Sequence, residues 1–283
     1  MTTLEAPAPV SVAELDVGKS PPVRRRRDRP AWVRRARRII GPLLVLFVWW
    51  LVTRLGWVDH RFLSSPRQVL HVFTTEISDG VFQHNVGVSL GRVAKGLVIG
   101  VGLGVIVGCA CAMWRLGEDL VDPVIQMFRT VPFVALTSLF VVWFGIGERP
   151  KYLLVALGCF FPVYLNTFNG IRNVDARLVE AAQGFGLSRL GLVREVILPG
   201  ALPQALLGLR YALGISWLAL VIAEQINANS GIGYLLSTAQ NNLDTPGIIA
   251  SVVTYAALGI CTDALVRLLE ARLLTWRRTY SGA

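Results

Sequence analysis

The feature that most restricts this chain is a series of apolar runs, each long enough to cross a lipid bilayer. A spanning helix needs about 20 residues, because each residue rises 1.5 Å and the hydrocarbon core is about 30 Å thick. Six stretches meet that length: Ile39 to Leu55, Val93 to Met113, Val124 to Phe144, Tyr152 to Phe168, Leu207 to Gln225 and Gly247 to Leu268. Lipid offers no hydrogen bonds to a backbone, so each run is expected to close its own as a helix. Composition agrees. Of 283 residues 53% are hydrophobic and only 16% charged, against roughly 25% charged in soluble domains, and the mean hydropathy is +0.54. The expected fold class is all-α and integral to the membrane, with six transmembrane helices in one membrane domain (39–283) behind a disordered basic cytoplasmic tail (1–38). The stretch Pro66 to Ile77 is different. Its Val69, Leu70, Val72, Phe73 and Ile77 recur at helical spacing among polar residues, which marks an amphipathic surface helix.

The formal net charge of +10 would suggest nucleic-acid binding on a soluble protein. Here the basic residues cluster at the ends of apolar runs, with no aromatic-interleaved basic face, so no nucleic-acid partner is expected. Ten lie in the tail, one between 114 and 122, four between 169 and 205, and four from Arg267 onward. Only Arg61, Arg67, Arg149 and Lys151 fall on the opposite side. The positive-inside rule then places both termini and the 169–205 loop in the cytoplasm.

Several other signals are weak. Cys109, Cys111, Cys159 and Cys261 all lie in apolar runs with no histidine nearby, and read as small core residues. Ala13 to Ser20 loosely fits a phosphate-loop pattern, but Pro21 and Pro22 follow and no apolar strand precedes, so ATP is expected to bind elsewhere. Gly96, Gly100, Gly104 and Gly108 lay a bare stripe along one helix face, where another helix can come close. No internal repeat is seen. His60, His71 and His84 form no metal or catalytic arrangement, and no catalytic residues or metal ligands are expected.

The long loop between the fourth and fifth runs carries most information. Asp175 can cap a short helix, Gly186 can supply a left-handed turn, and Ser188 can cap a second helix, expected to stop before Pro199. Leu178, Ala181, Ala182 and Phe185 share one face of the first helix, and Leu190, Val193 and Ile197 one face of the second. Arg129, inside the third run, is the residue whose charge most needs protein or water beside it. It is a candidate for lining a path across the membrane or for snorkelling to the surface; Gln126, Asn166 and Glu224 are weaker pathway candidates that suit interhelical hydrogen bonds.

Within that loop the order Glu180-Ala181-Ala182, three residues, Gly186, nine residues, Val196, one residue, Leu198-Pro199 resembles the EAA signature of binding-protein-dependent ABC importer permeases. Shorter stretches extend the resemblance from about Phe62 to Arg277 and give it the flavour of the nitrate, sulfonate and taurine permeases. They include Phe62-Leu63-Ser64-Ser65-Pro66, Asp122-Pro123, Trp143-Phe144-Gly145-Ile146-Gly147, Phe161-Pro162 with Asn166-Thr167, and Ser230-Gly231-Ile232-Gly233-Tyr234. The resemblance implies a non-catalytic subunit paired with a second permease copy as a homodimer. Below it would sit an ABC ATPase dimer that binds ATP and Mg, so that this chain holds no cofactor, and above it a substrate-binding protein. The loop would be a cytoplasmic helix-turn-helix coupling element, with Glu180, Ala181, Ala182, Gly186, Leu190, Val196, Leu198 and Pro199 engaging the ATPase. Aliphatic sulfonates are the expected substrate, with taurine, nitrate or another small solute as alternatives. A self-contained secondary transporter is the rival class; it predicts uptake by this chain alone, driven by an ion gradient.

Overall fold

A computed structural model describes residues 31–59 and 61–274 of the chain. The basic tail up to Pro30, with its phosphate-loop-like stretch, lies outside the described residues, as do His60 and the last basic residues. Every regular element among the described residues is helical.

The chain divides into two units, one ending at Phe47 and a body that starts at Val48. Helix α1 covers Ala31–Arg54. In the first unit its residues Ile40, Leu43, Leu44, Val45 and Leu46 are exposed. The body contains α2 (Pro66–Ser78), α3 (Val81–Met113), α4 (Arg115–Arg129), α5 (Phe133–Phe144) and α6 (Glu148–Arg172). It continues with α7 (Ala176–Gly184), α8 (Arg189–Leu192), a π-helical turn (Val193–Ile197), α9 (Leu198–Asn227), α10 (Ile232–Asn241) and α11 (Thr245–Leu273).

Helix α6 is the axis of the body and packs along both α3 and α9, which also touch each other. The glycine stripe makes the first of these contacts possible. A Cβ at Gly104 would lie 2.9 Å from Val163 Cβ, one at Gly108 would lie 3.0 Å from the Tyr164 carbonyl oxygen, and one at Gly100 would strike the Ala156 carbonyl. Those spaces do not exist, so α3 and α6 touch backbone to backbone. Gly208 does the same for α9, where a Cβ would be 2.7 Å from Asn166 Cβ. Val93, Val155, Cys159, Val163, Ala212, Trp217 and Leu220 fill the core that this closeness creates. Cys111 and Cys159 are buried as expected, whereas Cys261 is exposed on α11.

The amphipathic helix α2 forms as the sequence indicates. Ser65 Oγ accepts from the Gln68 amide and Gln68 Oε1 accepts from the Ser65 amide at 2.8 Å, a reciprocal cap with Pro66 in the first turn.

Two expectations change. The third apolar run, Val124 to Phe144, is not one straight helix: α4 and α5 meet at 102° across Thr130 to Pro132. Pro132 has no amide to donate and drives Val131 out of the helical region, so the chain must turn there. Nor does the second loop helix stop before Pro199. The Leu198 amide donates to the Val193 carbonyl, five residues back, and α9 starts at Leu198 with Pro199 in its first turn. A π turn widens the backbone just where the proline ring would otherwise clash and where its missing amide leaves a carbonyl free.

By length and composition four helical segments can cross a membrane among the described residues, or five with the bent pair counted as one. Val98, Leu103, Ile106, Val142 and Ile260 lie open on their outer faces, a spread of apolar surface suited to lipid or to a partner and not to water.

Candidate functional site

Two places in the body concentrate function-bearing residues. The first is the finger formed by α7, α8 and the turn between them. Asp175 Oδ1 accepts from the Arg177 amide at 2.9 Å and starts α7. The helix ends with the Leu187 amide on the Ala182 carbonyl at 3.2 Å and the Gly186 amide on the Gln183 carbonyl at 2.9 Å. Gly186 sits at φ +82°, the left-handed residue that this pair of bonds requires. Ser188 Oγ then accepts from the Gly191 amide at 3.2 Å and starts α8.

This geometry turns apolar side chains outward. Phe185 is 87% exposed, Leu190 78% and Leu178 59%. The base of the finger faces the other way: Leu192 is buried, and Ile197 packs on Ala112, Ile171 and Ala201. The face that sequence spacing gives to Leu190, Val193 and Ile197 is therefore split, because the π turn between Leu190 and Ile197 fits more residues into a turn than an α-helix does and shifts the register of the face. Among the other motif residues Glu180, Ala181 and Gly186 are exposed, Ala182, Val196 and Pro199 are half-buried, and Leu198 is exposed.

The second place is a buried polar node that sequence reading does not foresee. Arg92 of α3 is 3% exposed and Glu224 of α9 is 1% exposed. Arg92 Nη1 donates to Glu224 Oε1 at 2.6 Å and to the Ser230 carbonyl at 2.7 Å. Its Nε and Nη2 grip the two oxygens of Glu148, each at 2.6 Å, and Lys151 Nζ reaches Glu148 at 3.0 Å. Two cations thus meet two carboxylates. Three successive amides close over the pair: Gly231 donates to Asn85 Oδ1 at 2.6 Å, Ile232 to Ser89 Oγ at 2.9 Å, and Gly233 to Glu224 Oε2 at 2.8 Å. Gly231 has φ +111°, and a Cβ there would strike Glu224. The node pins α3, the start of α6, the end of α9 and the start of α10 at one point.

The pathway candidates separate. Glu224 lies inside the node, enclosed by protein. Asn166 donates to the Pro162 carbonyl at 2.8 Å and accepts from Gln204 at 3.1 Å, bridging α6 to α9. Gln126 is half-buried and reaches Asp122 at 3.3 Å, and Asp122 also accepts from Tyr164 at 2.8 Å. Arg129 is not at the centre of a straight span. It is the last residue of α4, exposed beside the break. What sequence reading missed is Arg92, which stands directly before the second apolar run. A basic residue beside an otherwise apolar run needs a counter-charge, and that was the available signal.

Such a body defines the class: an all-helical integral membrane protein with an exposed helical finger at the base of one of its long helices. Comparison with known proteins narrows it. The family described as "Binding-protein-dependent transport system inner membrane component" matches residues 100–275. A relative from Bacillus subtilis is 41% identical over 256 residues, 90% of this chain and 92% of that protein. One from Escherichia coli is 44% identical over 249 residues, 88% and 95% of the two chains. Both carry the name "Putative aliphatic sulfonates transport permease protein SsuC". The "Taurine transport system permease protein TauC" of Escherichia coli is 37% identical over 243 residues, 84% and 88% of the two chains. Among solved structures, "Crystal structure of an amino acid ABC transporter with histidines" shares the fold at a TM-score of 0.59 and 19% identity, over 71% of this chain and 97% of that one.

This chain belongs to the family of inner-membrane components of binding-protein-dependent transport systems.

Proposed function

We propose that the chain is the translocation subunit of an ATP-driven importer for aliphatic sulfonates, working as one of two permease copies above an ABC ATPase dimer and beneath a substrate-binding protein. The exposed finger carries this reading. Phe185, Leu190 and Leu178 stand out on a rigid, doubly capped turn, and apolar residues held open by design of the backbone suit a groove on a partner. Leu192 and Ile197 root the same element in the body, so a push on the tip reaches α9 through a continuous helical path. The names of the relatives support the sulfonate, and family membership supports the partners.

In this reading the chain crosses the membrane six times, with α1 and the bent α4–α5 pair each counted as one crossing, and both termini are cytoplasmic. The finger lies on the cytoplasmic side, where the excess of arginine falls. ATP and Mg are held by the ATPase; the chain itself does no chemistry on the solute.

The test is reconstitution. Permease, ATPase and binding protein together in proteoliposomes should take up ethanesulfonate only with internal or external ATP available to the ATPase, and the permease alone should take up none under an imposed ion gradient. Gradient-driven uptake by the permease alone would establish the secondary-transporter reading instead.

A further inference from the structure

Next to the buried node lies a cavity of about 290 Å³ between Ile146 of the α5–α6 connection, the end of α9 with the residues after it, and helix α10. Every side chain lining it is uncharged, and six can form hydrogen bonds: Gln225, Asn229, Tyr234, Ser237, Thr238 and Asn241. We infer that this cavity is a transit site for the sulfonate group of the solute, bound by neutral donors alone. The inference rests on the sulfonate reading above and adds the place in the membrane protein where the group is held.

The cavity's walls alternate with the node's residues along the chain. Glu224 points into the node and Gln225 lines the cavity; Gly233 bonds to Glu224 and Tyr234 lines the cavity. Ser237 Oγ donates to the Gln225 carbonyl at 3.3 Å and joins the two walls directly. The amides of Gly231, Ile232 and Gly233 are spent on Asn85, Ser89 and Glu224, so the node holds the loop before α10 in one conformation. A set of convergent polar groups on a rigid frame is what a small-solute site requires.

The chemistry selects a weakly basic oxyanion. Three amide groups and the hydroxyls of Tyr234 and Thr238 supply at least one donor each, the Ser237 proton being spent on the Gln225 carbonyl, and a sulfonate spreads one charge over three acceptor oxygens. A cation would find no carboxylate on the lining, since Glu224 is neutralised by Arg92. An anion meets neither a repelling carboxylate nor a lysine or arginine that would hold it fast. Transit demands that balance, because a site that binds too tightly does not conduct. Water occupies about 30 Å³ per molecule, so the volume takes a two-carbon sulfonate with a few waters.

The experiment uses the full complex in proteoliposomes, with radiolabelled ethanesulfonate and the ATPase shown to co-purify. Thr238→Val with Asn229→Leu should lower the maximal uptake rate about tenfold, while KM, set by the binding protein, stays put. In a Cys261→Ser background, Ser237→Cys should react with a small maleimide and be protected by ethanesulfonate but not by ethylene glycol. Wild-type uptake in the double variant, or labelling of Ser237→Cys unmoved by ethanesulfonate, overturns the transit site. If the unsubstituted complex moves no ethanesulfonate, the sulfonate reading fails before any substitution is made, and this site falls with it.

Discussion

At the residue scale the structure makes Gly186 a sharp probe of the finger. Nothing lies within 4 Å of the place where its Cβ would be, yet φ is +82°, so a side chain there is penalised by backbone conformation and not by crowding. Gly186→Val should cost on the order of 1 to 3 kcal/mol locally, and Gly186→Asn much less, because asparagine tolerates the left-handed region. The valine variant should insert normally but lose ATPase co-purification and sulfonate uptake together, with the asparagine variant close to wild type. Normal uptake and normal ATPase association in Gly186→Val would show that the finger does not couple. Arg92 makes a second case. Removing it leaves Glu224 buried without its partner, and breaking one half of a buried pair costs roughly 3 to 5 kcal/mol. Thermal unfolding in detergent should show Arg92→Met strongly destabilised, and Arg92→Met with Glu224→Gln should recover part of the loss; equal melting of the single and double variants would mean the pair is not coupled.

At the scale of elements, the packing of α3 on α6 depends on which glycine is altered. Gly100 faces the Ala156 carbonyl, while Gly102, half a turn away, has nothing within 4 Å of its missing Cβ. Gly100→Ala must push two helices apart, a change that costs about 1 to 3 kcal/mol in a close-packed interior. Gly102→Ala should be neutral or slightly stabilising, since it trades a poor helix former for the best one. Melting curves of the two variants should therefore move in opposite directions, and a shared drop would mean that helix α3 resists any added methyl group regardless of face. The same stripe was visible as a four-residue repeat in the sequence. Its partner was not, because spacing on one helix says which face is bare and nothing about which helix comes to cover it.

At the scale of the whole molecule, the permease reading divides labour between chains. Purified alone, the protein should hydrolyse no ATP, and removing residues 1–20, which hold its one phosphate-loop-like stretch, should leave transport by the assembled complex intact. Loss of hydrolysis on that deletion, with assembly preserved, would place nucleotide binding in this chain. The sequence by itself determined what depends on local chemistry: the helical class from apolar length, the capped finger from Asp175, Gly186 and Ser188, the amphipathic helix from the spacing of Val69, Leu70, Val72, Phe73 and Ile77, and the family from the spacing between Glu180 and Pro199. Tertiary structure decided the rest. The bend between α4 and α5 and the π turn before Pro199 are settled by how each proline's lost hydrogen bond is absorbed in context. The Arg92–Glu224 node joins residues 132 apart in the chain, and a buried charge finds its partner through the folding of three helices around it, a pairing no local pattern of residues can encode.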